Sequence, residues 1–366
     1  MTGVRPGGGC RRTGRAARLR ALAFIAPALG MLTVYLLWPV LATAWASISA
    51  PGPDGARFVG GRHYARLMAD PEFREALANT LVWLALAPVV TTALGLGAAV
   101  LSLRLVWGAA FRLAILAPMA VSAVGAAVIW KLVYEVRPGG QPQLGILNAL
   151  WLEFQGGGVS IAVLQLLPAV VLLGLAARAL WAAVRCRRAN AARSMVAAVA
   201  GLALCTLAVA VLRADLPFGQ PVAWLQVPLW NTVFLMAVLV WGHVGLAMVI
   251  LLAALRAIPP DTLEAARLDG ARPWQVFVHI QLPQIRGTLA TVWAVQALIA
   301  LKVFDIVLAL TNGQWQSGVL AHHVHGQLFV ALDRSVGSAA AMVMVALVVP
   351  VIAVQRRVAR GLGARL

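Results

Sequence analysis

Long continuous apolar runs alternate along the chain with short polar stretches that hold nearly all of its arginines. A bilayer core takes about 20 apolar residues of α-helix. Runs of that kind predict helices at 21–47, 80–103, 113–134, 160–182, 194–212, 231–254, 288–311 and 337–355. The runs are continuous rather than alternating, which excludes the ten-residue strands of a membrane barrel. The expected fold class is therefore an all-α polytopic membrane protein. It has eight spans, or six if the 160–212 hairpin is removed as a pair.

The chain divides accordingly. A basic tail, 1–20, precedes a first span and an external amphipathic segment, 21–79. Spans two and three occupy 80–134, and an external loop with the apolar hairpin occupies 135–230. The later spans fill 231–355, interrupted by a cytoplasmic loop at 258–285, and a second tail covers 356–366. The external segment mixes Phe58, Tyr64, Leu67 and Phe73 with charged residues, as a stretch lying on the outer face would.

Composition and charge sharpen this picture. Hydrophobic residues make up 61% of the 366 and charged residues only 11%, and the net charge is +18. Nucleic acid is excluded as a partner, because that reading needs the basic residues on a folded soluble surface. Here they lie between apolar runs, and the partner they imply is the lipid bilayer. With both termini in the cytoplasm, twenty-one arginines fall on the inner side and seven on the outer. Eight of the twelve acidic residues fall on the outer side. That segregation follows the positive-inside rule, and losing one span would invert every later loop. The run after the basic tail is too long for the core of a signal peptide, so an uncleaved first span is expected. Cys10, Cys186 and Cys205 are odd in number and lack the spacing of a disulfide framework or zinc site.

The loop from Ile258 to Ile285 differs from the others in length and texture. Pro259 and Pro260 favour a helix start, and Asp261 with Glu264 has the spacing of a capping pair. Two short helices are predicted, about 262–269 and 273–281. Gly270 makes the turn between them, because it alone takes a left-handed backbone freely. Leu282-Pro283 ends the second helix. On this pattern the loop is either an element that seats in a partner's groove or an interfacial helix resting on lipid headgroups.

The string from Glu264 to Ile285 resembles the signature of permease subunits in bacterial ABC importers. It matches at Glu264, Ala265, Ala266, Asp269, Gly270, Trp274, Phe277, Ile280, Leu282 and Pro283. It departs at Leu263, where an aromatic is common, and at Gly287, where a second proline often follows. In that family the signature forms the coupling helix that docks onto the ATP-hydrolysing subunit. Phe58-Val59-Gly60, Asn79-Thr80, Pro118 to Lys131 and Pro221 to Leu225 also look like carbohydrate-type permeases. Lys302 to Ala321 is similar to the subgroup that handles alpha-glucosides. The resemblance implies a type I permease core of six spans, with the two-span hairpin as an insertion between 150 and 220. It further implies an ABC ATPase dimer, a second homologous permease and an extracytoplasmic sugar-binding protein as partners, with import by alternating access.

The chain has no Gly-x-x-x-x-Gly-Lys loop, since its two lysines follow Trp130 and Leu301. ATP must therefore be bound by another polypeptide if it drives transport. No nucleophile elbow or zinc-protease helix is present either, so no catalytic residue, cofactor or metal is expected. His322, His323 and His325 fit no closed tetrahedral set. His243, alone in the sixth span, reads as a relay or as a helix–helix hydrogen bond.

Charged groups inside hydrocarbon usually face a cavity or a partner. Lys302 and Asp305 are three apart, so one helix would carry them on one face as a pair, with Gln296 two turns earlier. Neutral sugars need amide edges and aromatic planes, for which Gln296, Asn312 and Trp241 are candidates beside Trp230, Trp293 and Trp315. The same residues are read alternatively as a structural ion pair and interfacial anchors. Three rival functions remain: an ABC permease for another solute such as glycerol phosphate, a secondary transporter driven by H⁺ or Na⁺, and a membrane enzyme. The second is disfavoured by Asp305 being the one clear intramembrane carboxylate, and the third by the absent catalytic constellations.

Overall fold

The computed structural model describes residues 24–52, 55–156, 161–186 and 220–363, with scattered positions between 194 and 212. The basic tail, 1–20, lies outside these residues. The described chain is helical apart from one two-stranded antiparallel hairpin.

Helix α1, Phe24–Ile48, passes through a π-turn at Thr33–Leu37 and is almost wholly exposed within this chain. Strands β1, Ser49–Gly52, and β2, Gly55–Phe58, follow, and then α2, Arg62–Ala69. The predicted amphipathic segment thus becomes a hairpin and a short helix. Its last residues instead begin α3, Pro71–Arg104. The second span therefore starts nine residues earlier than the apolar run, because Asp70 caps it by accepting from the Glu72 N–H at 3.0 Å and Pro71 sits in its first turn.

Small residues recur along the buried side of α3 at Ala87, Thr91, Gly95, Ala99 and Ser102. Small side chains let membrane helices approach closely, and that is where α8, Trp230–Arg256, crosses α3. Pro88 lies inside α3 without ending it, as membrane helices permit.

Two expected spans are broken. The third consists of α4, Gly108–Leu116, a 3-10 turn at Ala117–Ala120, and α5, Ala123–Val133, bent by 104°. Then come α6, Ile146–Gly156, and the 26-residue α7, Ile161–Cys186, which fills the fourth expected run. The fifth run is described only in part. Where described it is helical, and Ser194 donates to the Ala183 carbonyl at 2.9 Å, an antiparallel return along α7.

After α8 come α9, Pro260–Leu268, and α10, Pro273–Gln284, the latter bent by 70° from α11, Arg286–Leu301. The seventh expected span, 288–311, is thus not one helix. It stops at Leu301, and α12, Asp305–Leu310, resumes after three non-helical residues. A short helix, α13, Leu320–His325, and a π-turn, Gly326–Val330, lead to α14, Arg334–Gly363. Among the described residues four helices are long and apolar enough to cross a membrane, or up to six if each bent pair counts as one span.

Two apolar clusters hold the bundle together. One joins Trp83 and Ala87 of α3 with Ala126, Leu235, Val303, Ile306 and Val307. The other joins Ala99 with Ala247, Met248, Leu251, Ile285 and Val292. The first therefore locks α12 to α3 and α8, and the second locks the base of α11 to them.

Candidate functional site

The loop singled out in the sequence folds as a compact helical pair. Pro259 is the N-cap of α9 and makes no side-chain cap, so the expected Asp261–Glu264 capping pair is not formed. Pro260 already sits at the first helical position, and Asp261 contributes only its charge in the first turn. The other end of α9 is fixed by backbone geometry. Gly270 has φ +77°, its N–H donates to the Arg267 carbonyl, and the Ala271 N–H reaches back to the Ala266 carbonyl, both at 3.0 Å. These two bonds make a Schellman cap, which needs a left-handed residue at this position. Arg272 then starts α10, with its N–H bonded to Gln275 Oε1 at 2.7 Å. The expected stop at Leu282-Pro283 falls slightly later, at Ile285.

The pair has an inner and an outer side. Ala266 and Val276 are buried, and Leu263 packs on the cluster around Leu255, Ile258 and Ile285. Glu264, Ala265, Asp269, Gly270, Trp274 and Pro283 are exposed, and Leu282 is half-buried. Leu268 is 88% exposed, an apolar side chain held out beside the Gly270 turn. Sequence reasoning passed over Leu268, although a leucine at the last position of α9 was visible. A Cβ built on Gly270 meets nothing within 4 Å, so the turn faces open space. A stiff element has its roots in the bundle and its tip free.

The candidate pathway residues do not converge on one site. Gln296 is 1% exposed; its Nε2 lies 3.4 Å from the His243 carbonyl oxygen, and its Oε1 has no partner. His243 itself bonds the Leu239 carbonyl. Trp241 packs edge-on to Trp130, 5.8 Å between ring centres, against the cluster that includes Ile306 and Val307. Lys302 and Asp305 do not pair, which corrects the expected ion pair on one continuous helix. The helix ends between them, and the ion pairs among the described residues are Arg66–Asp333 and Arg137–Glu135. Instead Lys302, Asp305 and Leu308 are all exposed on the side of this segment turned away from the core.

Asn312 begins a tight turn in the left-handed region, φ +50°, with its Oδ1 3.5 Å from His322 Nε2. Around it His322 stacks on Phe304, and His325 lies 4.9 Å from the same ring. His323 is buried against Phe73. Burial lowers the pKa of both His322 and His323, with Glu72 working in the opposite direction. Among the described residues no three His, Cys, Asp or Glu side chains are grouped to hold a metal.

Residues 159–363, more than half of the chain, match the family described as binding-protein-dependent transport system inner membrane component. The chain belongs to this family. The permease is 40% identical over 334 residues to the alpha-glucoside transport system permease protein AglF of Rhizobium meliloti (strain 1021), covering 91% of this chain and 80% of that protein. It is 33% identical over 330 residues to the osmoprotective compounds uptake permease protein GgtC of Synechocystis sp. (strain ATCC 27184 / PCC 6803 / Kazusa), covering 90% and 94%. In fold it resembles a chain of a bacterial ABC transporter involved in the import of the acidic polysaccharide alginate. That match has a TM-score of 0.65 at 17% identity, over 95% of this chain and 99% of the other. The permease is thus a multi-pass inner-membrane subunit and not an enzyme; the ATPase is a separate subunit.

Proposed function

We propose that this permease imports an alpha-glucoside, with the helical pair α9–α10 as its coupling element and the exposed edge at Lys302, Asp305 and Asn312 as part of its pathway. The substrate class rests on the 40% identity to AglF across nine-tenths of the chain. The coupling role rests on one observation: α9 is capped rigidly at Gly270 and rooted through Leu263 and Ala266, and the α9–α10 pair exposes Glu264, Leu268 and Trp274. A partner groove can hold such a tip and move its root. Both termini lie in the cytoplasm in this reading, which follows from the arginine distribution and puts α9–α10 on the ATPase side.

The pathway reading is supported by what Lys302 and Asp305 lack. Each is exposed on a segment whose other side is locked into the core, so neither serves this chain's own packing. Facing a second permease, they would border a passage between the two halves. The binding protein delivers the sugar to the outer face, and closure of two ATPase subunits on α9–α10 opens the passage outward.

The test is reconstitution with the cognate ATPase, second permease and binding protein. Labelled maltose, sucrose and trehalose are compared with glycerol 3-phosphate. ATP- and binding-protein-dependent uptake of a disaccharide is expected, and Asp305→Ala should lower uptake more than complex assembly. Uptake driven by an ion gradient without the ATPase contradicts the reading.

A further inference from the structure

Between α12 and α13 the chain makes a turn that is held from outside itself. Asn312, Gly313, Trp315 and Gln316 all have positive φ, +50°, +71°, +52° and +59°. Asparagine and glycine tolerate this region, but Trp315 and Gln316 do not, and each costs about 1–2 kcal/mol of backbone strain. The strain is restrained by side chains from two other helices. Asn79 of α3 donates its amide to the carbonyls of Gln316 and Gly318, both at 2.8 Å. Asn231, fully buried in the first turn of α8, donates to the Trp315 carbonyl at 2.6 Å. Thr80 Oγ1 accepts the Leu320 N–H just beyond, and Ser317 Oγ bonds Thr311 Oγ1 from within.

A mere connection would relieve this strain with glycine at 315 and 316. Here the held backbone instead displays side chains: Asn312, Gln314, Trp315 and Gln316 are all exposed. The carbonyls of Trp315, Gln316 and Gly318 are occupied by Asn231 and Asn79, which leaves the exposed side-chain amides of Asn312, Gln314 and Gln316 as outward polar groups. No Lys, Arg, Asp or Glu occurs from Ile306 to Ala321, and the titratable group set against the turn is His322, beside Asn312 Oδ1, whose pKa burial lowers. A single indole is also far less apolar area than a stable protein interface needs. An aromatic plane edged by uncharged amides suits a neutral polyhydroxylated ring, whose apolar face stacks while its hydroxyls exchange hydrogen bonds.

We propose that the turn 311–318 is a receiving subsite for a neutral saccharide at the outer mouth, with the Trp315 indole as its plane. Asn312, Gln314 and Gln316 form its polar edge, and Asn79 and Asn231 are positioning residues that act by fixing the backbone. This rests on the sugar-import reading and on the orientation that places the turn outside. It adds a contact separate from Lys302 and Asp305.

The experiment uses the assembled transporter in proteoliposomes, with Cys10, Cys186 and Cys205 replaced by serine and Gly318→Cys as a reporter, where an added Cβ makes only an ordinary contact at 3.7 Å. The rate of maleimide labelling is measured with maltose, sucrose or trehalose alone, then with the binding protein. One of the sugars alone should slow labelling severalfold. The slowing should persist in Trp315→Phe, disappear in Trp315→Ala, and weaken in Asn79→Ser while complex assembly stays unchanged. Labelling indifferent to all three sugars overturns the subsite, even if uptake of one of them is normal and the import reading survives. Slowing by the binding protein alone, with or without sugar, also overturns it and makes the turn a protein contact. Protection without any uptake supports the subsite while contradicting import.

Discussion

Gly95 of α3 lies so close to Ala247 of α8 that a Cβ added to it would sit 2.5 Å from the Ala247 Cβ. The two helices share the most extensive contact among the described residues, and Gly95 lies within it. Membrane helices gain little from expelling water, so their association depends on close packing of this kind. Gly95→Val should therefore destabilise the protein by about 1–3 kcal/mol or more through overpacking. Gly97→Val, where the added Cβ meets nothing within 4 Å, is the control. Thermal unfolding of the detergent-solubilised complex should separate the two; equal melting temperatures would contradict the crossing.

Asn148 predicts how the 150–220 region attaches. It is fully buried and makes four hydrogen bonds. Its Nδ2 donates to the carbonyls of Glu135 and Val222, and its Oδ1 accepts from the Val222 N–H and the Trp224 indole. One side chain thus joins the two ends of the region where the hairpin departs and returns. Asn148→Leu should be strongly destabilising, because each buried polar group left unpaired costs about 1–3 kcal/mol. Replacing the hairpin between 157 and 219 by a short polar linker should preserve assembly and uptake if the hairpin is peripheral. Loss of both would show that the hairpin belongs to the core.

His323 predicts a dependence on pH. Its ring is buried against Phe73 with Nε2 unpartnered, and burial holds its pKa below the ordinary value of 6.5. His322 is lowered as well, by burial and then by His325. The nearby acids, Glu72 and Asp70, oppose the shift without reversing it. The unfolded chain therefore takes up these protons first as pH falls. Stability is present in full above about pH 6.5 and declines from there down through the lowered folded values. Melting temperatures measured from pH 7.5 to 5 should fall, and His323→Phe should flatten part of that slope. An unchanged slope would contradict the assignment.

Much of the fold was legible because lipid imposes one length on every span, and the Gly270 cap was legible because its determinants are adjacent in sequence. The breaks at Val121-Ser122 and Lys302–Phe304 were not. At the first, Pro118 in the 3-10 turn and the Ser122 cap are local signals hidden within a long apolar run, and at the second, Lys302 and Asp305 flank Val303-Phe304 inside an otherwise apolar run. What ends α11 at Leu301 is tertiary, since Val303 and Ile306 are drawn into the cluster around Trp83. The expected Lys302–Asp305 pair failed for the same reason. The strapped turn was illegible because Asn79 and Asn231 act on it from 237 and 84 residues away. Asn79-Thr80 stood out as a resemblance, but nothing local says what it holds.

ATP turnover in another subunit is taken to enter this bundle through α9–α10, and Gly270 offers the cleanest access to that claim. A side chain there meets no atom of this chain, so Gly270→Leu adds only about 1–2 kcal/mol of backbone strain within the subunit. Its bulk projects into the space a docking partner would fill. Gly270→Asn, which tolerates the left-handed backbone and is smaller, is the graded comparison. ATP hydrolysis and sugar uptake should be measured together in the reconstituted complex. The account predicts normal insertion and persisting hydrolysis in Gly270→Leu, with uptake reduced to background. Uptake equal to that of the unmodified complex would contradict it.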